Sequence, residues 1–324
     1  MSAHQPVQVE RVEYDDRSFR SRLSWLGLRL TAYPVIAAWS YAPRLPWPYH
    51  LFDDVAGKVV PPVSSNFREP IELPNCTAEF QVPEGARSDR AILYLHGGAF
   101  IVGGVASHRR LAGSIAARSE AQVLAVEYRK LPDHPPSVSV EDCLDGYRWL
   151  LDRGFRPDQI VIAGDSAGGF LTAMTAIAIR DRGLGMPAGL ICENPVIDPT
   201  PSRRREGAYK AADSLFPHRA FDQFDRIIRE TEPAGDAVAP LDCDLTGLPP
   251  TLIQVGSHEM LRVDAEDFAA ALAQAGVPVQ LEIWKGQVHV FQAFIDVLPE
   301  SRLAIAAMAR FIVAQTSRQT AAAA

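Results

Sequence analysis

The sequence predicts an α/β fold in which helices cover both faces of a mostly parallel sheet. From about residue 78 onwards, short apolar runs alternate with segments of helical length. The runs lack the apolar–polar alternation of a half-exposed strand, which is typical of strands buried on both faces. A chain of 324 residues, 47% of them hydrophobic and 22% charged, can bury such a sheet without disulfide or metal support. Regular strand–helix alternation therefore favours a doubly covered sheet.

The first predicted element is an amphipathic helix near the N-terminus. Its apolar positions follow the i, i+4, i+7, i+11 spacing of one helical face: Phe19, Leu23, Leu26 and Leu30. Four arginines share this stretch: Arg17, Arg20, Arg22 and Arg29. A basic amphipathic helix can lie on a membrane surface, but we favour a helix that docks on the rest of the protein. Residues 42–75 contain seven prolines and predict an irregular connection.

The central part of the chain contains the strands and helices of the sheet. Six apolar runs predict strands, at residues 91–95, 123–128, 160–163, 189–192, 251–255 and 279–284. Helices are expected near residues 106–119, 137–153, 166–182, 262–275 and 299–315. A polar interval from about 200 to 245 breaks this rhythm and predicts an insertion with one helix near 218–231. The triple arginine at 203–205 within it is expected in a solvated loop, and the last residues, 317–324, are expected to be disordered.

The net charge and the cysteines exclude several classes of function. Lys plus Arg is 32 and Asp plus Glu is 39, so the net charge of −7 gives no attraction to nucleic acid or to an anionic membrane. The four cysteines (Cys76, Cys143, Cys192 and Cys243) form no CxxC or Cys/His cluster, so no structural metal is expected. No signal peptide or confident membrane span is visible, and we expect a cytoplasmic protein without stable membrane insertion.

The strongest chemical motif is a GxSxG sequence around Ser166. Gly164-Asp165-Ser166-Ala167-Gly168 follows an apolar run and opens a helix-like segment. This strand–turn–helix context is the one that places a nucleophilic serine on a strained elbow, with the glycines relieving backbone crowding. Ser166 is therefore the predicted nucleophile.

A serine hydroxyl needs a base, and in this arrangement the acid and then the histidine follow the serine along the chain. Three histidines follow Ser166: His218 lies in the insertion, His258 precedes the last predicted strand, and His289 lies just past that strand, where ligand chemistry collects in α/β sheets. His289 is therefore the predicted base. The acid is expected on the loop after strand 251–255, where Glu259 is the first carboxylate. Asp264 is the alternative, although it falls one turn into the following helix.

A second motif predicts an oxyanion hole. His96-Gly97-Gly98-Ala99 follows strand 91–95, and such an HGG loop supplies backbone N–H groups to the oxyanion of a tetrahedral intermediate. The expected donors are Gly97 and Gly98 on one side and Ala167 on the other. His96 and Asp165, within the two motifs, are expected to support the site.

At these residues the chain resembles the hormone-sensitive-lipase-like esterases, the bacterial family IV of the α/β-hydrolase superfamily, over about residues 85–315. The matching segments are residues 96–99, 128–129 with 132–135, 164–169, 247–251 and 288–289. The resemblance implies an α/β-hydrolase fold with a helical cap, and it implies Ser166, Glu259 and His289 as the triad. Many members have aspartate where this chain has Glu259.

By this resemblance the domain organisation is a cap segment at 1–55, a catalytic domain at 56–316 with a cap insertion at about 200–236, and the tail. The implied function is hydrolysis of small carboxylic esters, of short-acyl or acetyl-hydrolase type, through an acyl-enzyme and without metal or cofactor. Lactone or amide hydrolysis by the same residues is the alternative. A non-catalytic binding protein, like the gibberellin receptors of this fold, is disfavoured because such receptors lose the histidine that stands here as His289. A homodimer is compatible with the sequence, whereas a nucleic-acid partner is not expected.

Overall fold

The computed structural model describes residues 5–198, 213–232 and 239–317, and within them one nine-stranded sheet runs through the molecule. Its strands in chain order are β1 (Glu10–Tyr14), β2 (Phe67–Glu72), β3 (Thr77–Val82), β4 (Ala91–Leu95), β5 (Gln122–Glu127), β6 (Ile160–Asp165), β7 (Gly189–Glu193), β8 (Thr251–Gly256) and β9 (Val279–Trp284). The spatial order is β1-β9-β8-β7-β6-β4-β5-β3-β2. Only the pairs β2–β3 and β3–β5 are antiparallel among the described strands. The mostly parallel sheet that the sequence predicts is therefore confirmed.

Helices pack against both faces of this sheet. In chain order the described helices, including those beside the sheet, are α1 (Phe19–Leu30), α2 (Ala32–Tyr41), α3 (His50–Val59), α4 (Val105–Ser119), α5 (Pro136–Asp152), α6 (Ala167–Asp181), α7 (His218–Thr231), α8 (Arg262–Gln274) and α9 (Pro299–Ser317). The six predicted strands and five predicted sheet helices are present, and their ends lie within two residues of the predicted positions. The helix expected near 218–231 is present as α7.

Alternate residues of each central strand belong to two separate hydrophobic clusters. In β4, Leu93 and Leu95 belong to a cluster that includes residues of α5 and α6, whereas Ile92 and Tyr94 belong to one that includes residues of α4. All five residues of β4 are fully buried. Burial on both faces explains why these strands are apolar throughout rather than alternating.

Three strands, β1, β2 and β3, are not predicted by the apolar runs, because each lies at or next to an edge of the sheet. β1 has the sequence ERVEY and pairs only with β9, and β2 is the other edge. Edge strands present one side to solvent, so their sequences carry charges and even a proline, Pro70. The stretch 42–75, which we expect to be irregular, therefore contains β2 and also α3. In addition, β1 lies within the range expected for the cap, yet it belongs to the sheet.

Helix α1 docks on the protein through a different face from the one its apolar spacing indicates. Its inner side places Trp25 and Leu28 against a cluster that includes Trp284 and Phe291. The buried Ser21 hydroxyl donates to the carbonyl oxygen of Gly286 at 3.1 Å. The four periodic apolar residues are instead exposed: Phe19 at 71%, Leu23 at 51%, Leu26 at 46% and Leu30 at 67%. The docking is as expected, but the contact face is not, since Ser21, Trp25 and Leu28 occupy it.

The N-terminal helices and the insertion meet beside the sheet. Trp39 of α2 stacks on Phe224 of α7, with ring centroids 4.8 Å apart. Arg219 of α7 donates to the carbonyl oxygen of Ser40 at 3.0 Å. This contact joins the two separated pieces that the sequence assigns to a cap. The triple arginine at 203–205 and residues 318–324 of the expected tail lie outside the described residues, whereas Ser317 ends α9.

Candidate active site

Ser166 lies on a sharp turn between β6 and α6. Its backbone has φ 53° and ψ −117°, and residues other than glycine rarely adopt a positive φ. The N–H of Ser166 donates to the carbonyl oxygen of Glu193 at 2.8 Å, and the carbonyl oxygen of Ser166 accepts from Val196 at 3.0 Å. These bonds to the end of β7 and to the segment after it hold the strained turn in place.

The two glycines of the motif are required by close backbone contacts. A Cβ atom at Gly164 would lie 2.4 Å from the carbonyl oxygen of Gly168. A Cβ atom at Gly168 would lie 1.8 Å from the carbonyl oxygen of Leu95 in β4. The elbow therefore packs directly on the strand that leads into the HGG loop, which brings the two motifs together.

Glu259 and His289 form a buried hydrogen-bonded pair. Oε2 of Glu259 lies 2.6 Å from Nδ1 of His289, and the exposed fractions of the two residues are 0% and 6%. Since a carboxylate only accepts, Nδ1 carries the proton and Nε2 is left as the basic nitrogen. Although burial lowers the pKa of His289, the hydrogen bond to Glu259 and the charges of Glu259, Asp213 and Asp165 raise it above its usual value.

Two further contacts hold the Glu259 carboxylate, and neither is signalled by a motif. Oε1 accepts from the backbone N–H of Gly256 at 2.7 Å and from the side-chain amide of Asn194, which follows β7. Asp264, the alternative acid, faces elsewhere: its Oδ2 accepts from the backbone N–H groups of Ile197 at 2.7 Å and Asp198 at 3.0 Å. The structure thus places Glu259 beside the histidine and gives Asp264 a role in holding a loop.

Residues of the insertion cover the histidine. The ring of Phe216 meets that of His289 edge to face, with centroids 5.2 Å apart. Phe216 also lines the cavity beside Ser166, so one aromatic ring contacts the histidine and borders the cavity at the serine. Asp213 anchors this arrangement because its buried carboxylate accepts from the backbone N–H groups of Phe216 at 2.8 Å and Met260 at 2.9 Å. The insertion is therefore tied to the loop that carries Glu259.

The cavity beside Ser166 is narrow and apolar. Four aromatic rings surround it, and the insertion contributes four of its nine lining residues, which are Ala99, Phe100, Ser166, Val196, Phe216, Phe221, Phe224, Ile228 and Leu261. Such a surface fits the hydrocarbon part of a small ligand rather than a charged one.

The HGG loop approaches the elbow closely, but its first glycine amide is already engaged. The N–H of Gly97 donates to Oδ1 of Asp165 at 3.0 Å. Gly98 has φ 121°, and a Cβ atom there would lie 1.9 Å from the carbonyl oxygen of Val102. Ala99, which follows with φ 55°, lines the cavity together with Ser166. The N–H of Ala167 belongs to the first turn of α6, where amides have no acceptor within the helix.

His96 shapes the start of this loop. Its ring stacks on Tyr128 with centroids 4.1 Å apart, and the Tyr128 hydroxyl donates to the carbonyl oxygen of His96 at 2.6 Å. Burial, together with the charges of Lys130 and His108, holds the pKa of His96 well below its usual range. The ring is therefore neutral, and Nδ1 faces the carbonyl oxygen of Gly97 at 2.8 Å as a donor.

Within the described ranges, no three His, Cys, Asp or Glu side chains converge as metal ligands, and no helix has the length and hydrophobicity needed to cross a bilayer. The four cysteines are free thiols.

Known proteins share both this fold and this sequence. A family profile for the alpha/beta hydrolase fold matches residues 92–293. Esterase LipU of Mycobacterium tuberculosis is 39% identical over 280 residues, which cover 83% of this chain and 93% of the relative. Carboxylesterase/phospholipase LipF of the same organism is 36% identical over 308 residues, which cover 91% of this chain and 82% of the relative.

A solved structure gives the same result. An esterase from the bacterial hormone-sensitive lipase family superposes with a TM-score of 0.82 at 30% identity, and the match covers 93% of this chain and 100% of that one. Together with the profile match over more than half of the sequence, these similarities decide the family. The chain belongs to the α/β-hydrolases, in the hormone-sensitive-lipase-like branch.

Proposed function

We propose that this carboxylesterase-type hydrolase cleaves small carboxylic esters through an acyl-enzyme on Ser166. The observation that carries the proposal is the buried Glu259–His289 pair, in which 2.6 Å separates Oε2 from Nδ1. A carboxylate in this position orients the imidazole and stabilises the imidazolium that forms when the histidine takes a proton. The strained elbow of Ser166 and the family membership support the same assignment.

In the proposed mechanism, Ser166 Oγ attacks the ester carbonyl while Nε2 of His289 removes its proton. The tetrahedral intermediate collapses as His289 returns that proton to the leaving alcohol, and the acyl group remains on Ser166. A water molecule then attacks the acyl-enzyme by the same route, and His289 again acts first as base and then as acid. Each proton that His289 removes is returned to the departing oxygen, first that of the alcohol and then that of Ser166, so both steps balance.

The donors to the oxyanion are proposed to be Gly98 and Ala167. Gly97 is less suited than the sequence suggests, since its N–H already donates to Asp165. Ala99, which lines the cavity beside Ser166, is the next amide along the loop and is proposed as the third donor. Fixed N–H groups of this kind stabilise the developing charge without reorganising during the reaction.

The acyl group is proposed to occupy the apolar cavity, and its aromatic lining favours short chains. Phe221 and Phe224 of α7 close the cavity on the cap side. Relatives named as esterase and carboxylesterase are consistent with this substrate class. Short-chain p-nitrophenyl esters are therefore the appropriate assay substrates.

Ser166→Ala tests the proposal. We expect kcat for p-nitrophenyl butyrate to fall by at least about 10³-fold, because removal of one triad member leaves only the catalysis provided by the other groups. Circular dichroism of the variant must match the wild type. Turnover at the wild-type rate by a folded Ser166→Ala protein would overturn the assignment, and a matched p-nitroanilide would separate esterase from amidase action.

A further inference from the structure

A buried carboxylate links the serine elbow to the oxyanion loop. Asp165 immediately precedes Ser166 and is 2% exposed. Its Oδ1 accepts from the N–H of Gly97 at 3.0 Å and from the hydroxyl of Tyr94 at 2.9 Å. The contact is close, since a Cβ atom at Gly97 would lie 2.1 Å from Oδ2. The position of this carboxylate therefore sets the position of the Gly97 peptide and of Gly98 after it.

The second carboxylate oxygen faces His108 of α4, a residue outside the proposed triad. Nε2 of His108 lies 3.4 Å from Oδ2 of Asp165, and Nδ1 lies 3.0 Å from the carbonyl oxygen of Gly104. A carboxylate and a carbonyl oxygen both act only as acceptors, so both ring nitrogens are satisfied when each carries a proton. The Ser107 hydroxyl, 2.9 Å from Nδ1, has its own acceptor in Gly104 O at 3.0 Å. The geometry thus favours an imidazolium.

Other charged groups surround this pair. On α3, Asp53 accepts from the backbone N–H of Ser107 at 2.7 Å. Glu127, at the end of β5, accepts from the N–H of Val105 at 2.6 Å and pairs with Lys130. Both carboxylates thus face the first turn of α4, where His108 begins its second turn.

The balance of these groups raises the pKa of His108, which favours the charged ring. Burial lowers its pKa, but the charge of Asp165, the hydrogen bonds to Asp165 and Gly104, and the charge of Asp53 together raise it above the usual value. The neighbouring ring of His96, with its centroid 5.4 Å away, is neutral. In turn, His108 lowers the pKa of Asp165 against the effect of burial.

We propose that His108 is a positioning residue for the oxyanion loop, acting through Asp165 on Gly97. The proposal rests on the esterase function, since it concerns the geometry of that same site. The imidazolium holds Oδ2, which leaves Oδ1 aimed at the Gly97 amide. It also neutralises a buried negative charge next to Ser166, and an uncompensated charge there would oppose the oxyanion that forms during the reaction.

The consequence is an alkaline limit to activity that the triad alone does not produce. His289 must be neutral to act, so activity rises with pH through its pKa. His108 must be charged, so activity falls as pH rises through the pKa of His108. Substitution of His108 is therefore expected to remove the fall in activity at alkaline pH and to leave the rise through the pKa of His289.

The test compares His108→Asn and His108→Gln with wild type, using p-nitrophenyl butyrate between pH 5 and pH 10. We expect kcat at neutral pH to fall about 10- to 100-fold in His108→Asn, less than the loss of a whole oxyanion donor, with KM changed less than about threefold. His108→Gln, whose longer side chain can place its amide N–H where Nε2 faces Asp165, is expected to recover part of kcat but not the fall in activity at alkaline pH. The control His50→Asn removes an exposed histidine and should leave the profile unchanged.

Two further measurements separate the possible failures. In a double-mutant cycle, Asp165→Asn and His108→Asn are expected to be strongly non-additive because each removes the same pair. In wild type, the ¹⁵N shifts of the His108 ring are expected to report both nitrogens protonated at pH 7. A neutral His108 ring would overturn the proposal. So would additive effects of the two substitutions together with an unchanged fall in activity at alkaline pH. In either case an inactive Ser166→Ala protein would still support the esterase function. Full activity of Ser166→Ala would instead remove the function on which it rests.

Discussion

Oε2 of Glu259 lies 2.6 Å from Nδ1 of His289, and the pair spans two loops that follow neighbouring strands, β8 and β9. Parallel strands deliver both loops to the same edge of the sheet, where the elbow after β6 also lies. Phe216 packs against the His289 ring, and Asn194 and the N–H of Gly256 hold the Glu259 carboxylate. A hydrogen-bonded pair this well supported is a sensitive target for substitution.

Glu259→Gln is expected to lower kcat by about 10⁴-fold while the fold is retained. The amide cannot stabilise an imidazolium and favours the wrong tautomer of His289. Steady-state kinetics with p-nitrophenyl butyrate measures the effect. Asp264→Asn is the matched control, because its carboxylate holds backbone N–H groups of another loop and should cost stability more than kcat. Comparable kcat losses in both variants would contradict the assignment of the acid.

Gly98→Ala is expected to lower kcat by about 10²- to 10³-fold, the loss typical of one oxyanion donor. The added Cβ would meet the carbonyl oxygen of Val102 at 1.9 Å in a backbone with φ 121°, so the loop must move. Gly27→Ala in α1 is the control, since nothing lies within 4 Å of the added atom. It should leave kcat unchanged and raise stability by about 0.5–1 kcal/mol, measured by denaturant unfolding. Equal kcat in the two variants would argue against the proposed role of the loop.

Phe221→Val is expected to shift the acyl preference towards longer chains. Phe221 is 4% exposed on α7 and lines the cavity, so a smaller side chain lengthens the space for the acyl group. The ratio of kcat/KM for p-nitrophenyl octanoate over butyrate should rise about tenfold. Phe311→Val, at a half-buried site on α9 outside this cavity, should leave the ratio unchanged. An unchanged ratio in folded Phe221→Val would place the acyl group elsewhere.

Glu193→Gln is expected to stabilise the protein increasingly as pH rises. Burial, assisted by the charge of Asp165, raises the pKa of Glu193 well above its usual range, and neither carboxyl oxygen has a partner within the described structure. The folded state therefore keeps a proton that the unfolded state releases above its ordinary pKa, so unfolding of wild type becomes easier as pH rises. The variant lacks this cost, which amounts to at most about 1.4 kcal/mol per pH unit. Urea unfolding at pH 5, 7 and 8.5 measures the difference, and a pH-independent difference would contradict it.

Sequence patterns were informative for the elements that are buried on both sides and uninformative at the edges. Strands such as β4 and β6 are apolar throughout because helices cover both faces, and this property is written locally. β1 is a run of charged and apolar residues whose extended form depends on pairing with β9, more than 260 residues away. Likewise, the apolar spacing of α1 predicts the helix correctly but not the face that docks. That face is set by the contacts of Ser21 and Trp25 with distant parts of the chain.

The sequence by itself determined the family of the fold, the serine elbow, the HGG loop and the strand ends on which Glu259 and His289 lie. These follow from local requirements: glycines where the backbone is crowded, apolar runs where strands are buried, and polar residues where strands stop. Only the tertiary structure decided that Glu259 rather than Asp264 reaches the histidine, that the Gly97 amide is engaged by Asp165, and that His108, Asn194 and Asp213 support the site. Each of these contacts joins segments that are far apart in the chain. The spacing of residues in the sequence cannot predict such contacts, because they depend on how the elements pack.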